Sequence, residues 1–174
     1  MGEEEKTLAS LLLIKQQKKQ LKNGLVNYNM DDFLKSIIQE FILSHDHKPH
    51  GFEAIKDADH TVEAYNPLCG DKYNIYLEMD QETIKDIHFY GKGCTISKAS
   101  TSVLVKNLLG KSVTEAKELV ALFLKNANSL EDLEEEIPTD FEAFAAARYY
   151  PSRHTCACLS WSSVHAFLGL RSKV

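Results

Sequence analysis

Three short stretches between residues 61 and 90 constrain this chain more than any other part of it. In the middle one Tyr73, Ile75, Leu77 and Met79 alternate with more polar positions, the period of a strand with one buried face. Asn66-Pro67-Leu68-Cys69-Gly70-Asp71 precedes it with turn chemistry, and Asp80 to Glu82 supply a second turn. Residues 61–66 and 84–90 read as flanking strands, and Gly91 and Gly93 close the last of them. The segment therefore predicts an antiparallel meander with one face covered.

The cover has to be helical. Phe33, Leu34, Ile37, Ile38, Phe41 and Ile42 recur at helical spacing after Asp31, and Lys48, Pro49, His50 and Gly51 end that helix. Beyond the strands, helices are expected over about residues 97–109, with Gly110 as the stop, and 112–126, where Ser112 and Glu115 have capping-box spacing. A short helix over about 141–148 follows, then a last one from Pro151 whose buried face is marked by Trp161, Val164, Phe167 and Leu168. The expected class is α+β: a small antiparallel three-stranded sheet with helices packed on one face.

With 174 residues, 44% of them apolar, the chain supports one core. We expect a single domain over residues 30–174. Residues 1–29 read as an N-terminal extension, one amphipathic helix rich in lysine (Lys15, Lys18, Lys19, Lys22) and broken by Asn23, Gly24 and Asn27 to Asn29. It is either a partner-binding helix or a loosely docked appendage, and Met30 is an alternative start. The acidic run Glu131 to Glu136 reads as a solvated face, or as one presented to a basic partner.

Twenty basic against 25 acidic residues give a net charge of -5, which excludes an electrostatic footprint for nucleic acid. The apolar run Leu11 to Ile14 is far shorter than the roughly 20 residues that cross a bilayer. Glu3, Glu4 and Glu5 stand where a signal peptide carries basic residues. A soluble cytoplasmic protein without membrane association is expected. In that compartment the four cysteines are not disulfides; they are metal ligands, reactive thiols, or simply buried small hydrophobes.

Three of them fall at element ends. Cys69 and Asp71 flank a glycine in the first turn, Cys94 follows Gly91-Lys92-Gly93 just before a helix, and Cys156 comes soon after Pro151 at an expected helix start. Three thiolates and a carboxylate would fill a tetrahedral zinc shell, although neither half is a C-x-x-C knuckle. At helix N-termini Cys94 and Cys156 should have lowered thiol pKa values. Arg153 is a positive charge three residues from Cys156, read either as functional or as an ordinary surface arginine.

Asn66-Pro67-Leu68-Cys69-Gly70-Asp71, Gly91-Lys92-Gly93-Cys94-Thr95-Ile96-Ser97-Lys98-Ala99-Ser100 and Tyr150-Pro151-Ser152-Arg153-His154-Thr155-Cys156-Ala157-Cys158-Leu159-Ser160-Trp161 resemble the three signature blocks of the SufU and NifU-like iron-sulfur cluster assembly family, in the family's order. The resemblance runs from about Asp31 to Gly169. A long insertion between Gly110 and Pro151, and Thr155 in place of a histidine before the last ligand cysteine, make it closer to the SufU branch than to the IscU branch. The resemblance implies Zn2+ held by Cys69, Asp71, Cys94 and Cys156. It also implies a sulfur acceptor that takes persulfide from a SufS-type cysteine desulfurase and serves downstream iron-sulfur assembly proteins. Cys69 matches the accepting cysteine, and Arg153 matches an arginine of the same block. Zinc would keep the thiolates deprotonated yet restrained.

Two other readings stand beside this one: a scaffold that builds an iron-sulfur cluster on Cys69, Cys94 and Cys156, and a binding protein with a purely structural zinc. Cys158 stands where the family usually has threonine and is expected to be a packed thiol facing away from Cys156. His45, His47 and His50 flank a helix end and are expected as cap or surface residues, not ligands. His154 is either a neighbour of the site or an exposed side chain.

Overall fold

A computed structural model describes residues 28–129, 137–145, 147 and 150–171. The extension up to residue 27 and the acidic run at 131–136 lie outside the described residues. The elements are α1 (Tyr28–His47), β1 (His60–Asn66), β2 (Asp71–Asp80), β3 (Thr83–Lys92), α2 (Thr95–Leu108), α3 (Val113–Asn128), α4 (Thr139–Glu142) and α5 (Pro151–Arg171).

The strands form one antiparallel sheet in the order β1-β2-β3. Alternation sends Val62 and Ala64, Tyr73, Ile75 and Leu77, and Ile84, Ile87 and Phe89 to the buried face. Ile84 and Ile87 are three apart and would face opposite sides of an unbroken strand. The register shift between Glu78 and Met79 resolves this: Ile84 pairs with Met79 and Ile87 with Leu77, leaving Lys85 as the extra residue of a bulge.

Against that face lie α2 and α5, with α1 on α2 and α3 on α5. Helix α2 buries Ala99, Val103, Leu104, Val105 and Leu108. Its partner α5 buries Ala157, Trp161, Val164 and Leu168. The Trp161 ring stacks on Phe123 of α3 at 3.9 Å and meets Phe141 edge-on. Its Nε1 donates to Ser100 Oγ at 2.9 Å, and Ser100 Oγ donates to the Ala157 carbonyl at 2.6 Å. The largest ring in the core thus carries no unpaired polar atom.

The Ser112 and Glu115 capping box forms in both directions at the head of α3. Two expectations need correction. Helix α1 spans Tyr28–His47, so Tyr28 and Asn29 of the expected break at Asn27 to Asn29 are helical. Where a helix was expected over about 141–148, the described residues show the four-residue α4, which starts two residues earlier, followed by tight turns with Phe144 N bonded to Phe141 O and Ala147 N to Phe144 O. Three-residue periodicity puts Phe141 and Phe144 on one side, both against Phe123, a requirement of core packing that outranks the alanines' preference for an α-helix.

Candidate metal centre

The turn from β1 to β2 builds the first wall of the site. Asn66 Oδ1 accepts from Leu68 N at 3.1 Å, Gly70 N donates to Asn66 O at 2.8 Å, and Gly70 takes φ of 71°, a conformation that glycine adopts without strain. This tight reversal leaves Leu68 89% exposed and places Cys69 on the surface. Asp71 is not part of the turn, as the sequence had suggested. It is the first residue of β2 and shares the inward face with Tyr73, so its carboxylate is buried at 2% exposure.

The second wall is the start of α2. Cys94 is the N-cap, its Sγ accepting from Ser97 N at 3.4 Å. Its backbone N donates to Asp71 Oδ1 at 3.0 Å, which locks the helix start to the head of β2. Gly93 has no room for a side chain: a Cβ there would run into Tyr73 Oη and Ser97 Oγ. Those two hydroxyls lie 3.4 Å apart, and burial pushes the Tyr73 phenol up to about 12, so it stays neutral.

Helix α5 is the third wall. Cys156 is buried, and its Sγ sits 3.6 Å from Cys69 Sγ. It lies in the second turn of α5, not at the helix start expected from the sequence, beyond the reach of the macrodipole. Without a metal ion, burial first, then the neighbouring Cys69, Cys94 and Asp71, push the Cys156 thiol above its ordinary range. Arg153 is exposed one turn before Cys156 on the same side of α5.

One donor atom each from Cys69, Asp71 and Cys156 lies within 4.8 Å of the others. Cys94 adjoins Cys156 but stands outside that group, its sulfur engaged as the cap of α2. Asp71 Oδ2 is buried with no hydrogen-bond partner. A cation answers all of these features together: it gives the orphaned oxygen a partner and offsets the crowding of acidic donors. The sulfur-rich donor set with one carboxylate suits zinc, and its thiolates also suit iron.

The remaining expected groups lie elsewhere. Cys158 is a packed thiol, pushed up to about 11 by burial, with Sγ 3.6 Å from His154 Nε2. His47 is exposed, but His45 is neither cap nor surface. It is 6% exposed between α1 and α2, with Nδ1 2.8 Å from Ser102 Oγ and its ring against Phe41 and His50. Its aromatic spacing from Phe41 along α1 was the signal for burial. Among the described residues no helix is long and apolar enough to cross a membrane.

Comparison with known proteins places this arrangement. An iron-sulfur cluster assembly scaffold protein IscU of Streptococcus pyogenes serotype M1 is 30% identical over 131 residues, 75% of this chain and 82% of its own length. The zinc-dependent sulfurtransferase SufU of Bacillus subtilis is 28% identical over 138 residues, covering 79% of this chain and 90% of that one. The crystal structure of a candidate iron-sulfur cluster assembly scaffold protein for the SUF system from Fervidobacterium islandicum AW-1 superposes with a TM-score of 0.62 at 31% identity, over 73% of this chain and 93% of that one. The NifU-like N-terminal domain pattern matches residues 37–157. The three-stranded sheet and its helical cover are the architecture of that group. The chain therefore belongs to the NifU-like N-terminal domain family, which includes the IscU and SufU proteins of iron-sulfur cluster assembly.

Proposed function

We propose that this protein is a zinc-dependent sulfur acceptor of iron-sulfur cluster assembly, taking persulfide sulfur from a SufS-type cysteine desulfurase. The observation that carries this reading is an asymmetry of exposure. Cys69 is on the surface while Asp71 and Cys156, its neighbours within 4.8 Å, are buried. One thiol of the group is thus open to a partner, and the others form a floor beneath it.

Cys69, Asp71 and Cys156 would hold the zinc, with Cys94 as the fourth ligand in exchange for its weak N–H···S cap. When bound, zinc keeps these thiols deprotonated at neutral pH. In the transfer, the Cys69 thiolate attacks the terminal sulfur of the desulfurase persulfide. A new S–S bond forms at Cys69, the old one breaks, and the desulfurase thiolate leaves. Arg153, exposed on the Cys156 side of α5, offers a positive charge to the anionic sulfur species. The exposed Leu68 beside Cys69, and Tyr65 and Tyr150 at 54% and 62% exposure, give a docked partner apolar surface to cover. The domain that does this spans residues 30–174, with residues before it as an appendage, and it works in the cytoplasm.

The test is desulfurase turnover with the Cys69→Ala variant. Loss of the stimulation given by the unaltered protein, and of persulfide recovered on this chain, is expected. Undiminished sulfur acceptance by Cys69→Ala would overturn the assignment of Cys69.

A further inference from the structure

Cys94 is the member of the proposed zinc set whose sulfur stands outside the 4.8 Å group, so its entry depends on how its backbone is held. The Cys94 N–H donates to Asp71 Oδ1 at 3.0 Å, and its carbonyl accepts from both Ser97 Oγ and Lys98 N at 3.0 Å. The sulfur itself is held more weakly, by the Ser97 N–H at 3.4 Å.

Behind Ser97 stands a second hydroxyl. Ser97 Oγ gives its one proton to the Cys94 carbonyl, so across the 3.4 Å between the two hydroxyls Tyr73 Oη is the donor. Both residues are buried, Ser97 at 1% exposure and Tyr73 at 0%. The Tyr73 ring is set edge-on to Phe89, and the Ser97 carbonyl accepts from Thr101 Oγ1 at 2.7 Å, which is bonded in turn to Ser160 of α5. The glycines before Cys94 are shaped to the same tyrosine: a Cβ at Gly91 would meet the Lys72 carbonyl and Tyr73 Cα, and one at Gly93 would meet Tyr73 Oη and Ser97 Oγ. A tyrosine on the inward face of β2, where Ile75 and Leu77 follow, thus reaches beneath the loop that carries a candidate ligand.

We propose that Tyr73 and Ser97 are positioning residues of the metal centre: the relay from Tyr73 Oη through Ser97 Oγ to the Cys94 carbonyl fixes the Cys94 backbone, so that its thiol joins Cys69, Asp71 and Cys156 by turning about its own side chain. This rests on the metal reading above, and neither residue is itself a ligand. A backbone ordered in advance leaves only one side-chain rotation to be fixed when the ion arrives. Hydrogen-bond partners behind a ligand act in this way, by setting its orientation instead of touching the metal.

Anaerobic Co2+ titration of the chelator-treated full chain reads both the affinity and, from the sulfur-to-cobalt charge-transfer intensity at saturation, the number of sulfur donors. Ser97→Ala should weaken Co2+ binding about tenfold and lower that intensity by about one third, the share of one thiolate in three. Tyr73→Phe keeps the ring on Phe89 and should shift both quantities in the same direction by less. The double variant should bind no more weakly than Ser97→Ala alone, because Tyr73 acts through Ser97. Ser102→Ala removes another buried hydroxyl of α2, bonded to His45 and His50, and should lower stability while leaving affinity and intensity unchanged. Full intensity in both Ser97→Ala and Tyr73→Phe, additive losses in the double variant, or an equal fall in Ser102→Ala would overturn the relay. An unaltered protein without a charge-transfer band would overturn the metal reading itself, and the relay with it.

Discussion

Cys156 and Trp161 lie little more than one turn apart on α5, yet their surroundings follow opposite rules. Around Trp161 every demand is met: its ring stacks on Phe123, and its N–H enters a relay through Ser100 to the Ala157 carbonyl. Around Cys156 demands are left open. Its thiol is crowded by Cys69, Cys94 and Asp71, and Asp71 Oδ2 is buried without a partner. One helix thus joins a region that supplies stability to one that withholds it for a ligand. The position of the site is fixed by the first, and its chemistry by the second.

If stability resides in the aromatic end, Trp161→Ala should cost about 3–5 kcal/mol, measured by urea unfolding in the presence of chelator. A loss below about 1 kcal/mol would erase the contrast.

A second large effect belongs to the helix junction away from the site. Burial, aided by His50 and Lys106 and opposed by Asp140, lowers His45 from 6.5 to about 4. Folding therefore favours its neutral form, so the stabilisation is complete above about pH 6.5 and is lost as the pH falls towards 4, up to roughly 3 kcal/mol. Unfolding midpoints of chelator-treated protein over that range should fall more steeply than those of His45→Asn, which keeps an acceptor but does not titrate there. Equal slopes would contradict the burial of His45.

At the site the signs reverse. Asp71→Asn keeps an oxygen for the Cys94 N–H and nearly the same volume, so metal-free stability should move by less than about 1 kcal/mol. Zinc affinity should drop by about tenfold or more, read by competition with a chromophoric chelator. The smallest effect is farthest away: Ser112→Ala removes the α3 cap for about 1 kcal/mol and should leave zinc affinity unchanged. A change in affinity there would mean the two regions are coupled.

Much of this layout was legible in the sequence, and the exceptions share a cause. The alternation of Tyr73, Ile75 and Leu77, the turn at Pro67 to Gly70 and the Ser112 box are local signals, and each appears where its residues put it. What needed tertiary structure was misread. A helix was expected over about 141–148 because the docking of Phe141 and Phe144 on Phe123 is not visible in the sequence. His45 looked like a cap because its burial depends on Ser102, on another helix. Cys156 was expected at the start of its helix, where a thiol is activated, and instead lies deeper in it. The three cysteine blocks were visible, but the burial of Asp71 and the engagement of Cys94 as a helix cap were not, since both arise from β2 meeting α2.

The most direct test of the account is metal and acid-labile sulfide analysis of the anaerobically purified protein, with desulfurase turnover measured in its presence and absence. Zinc tightly held in a Cys69-group site, no labile sulfide and faster turnover are predicted; iron with stoichiometric sulfide and no effect on turnover would contradict the sulfur acceptor and make the protein a cluster scaffold.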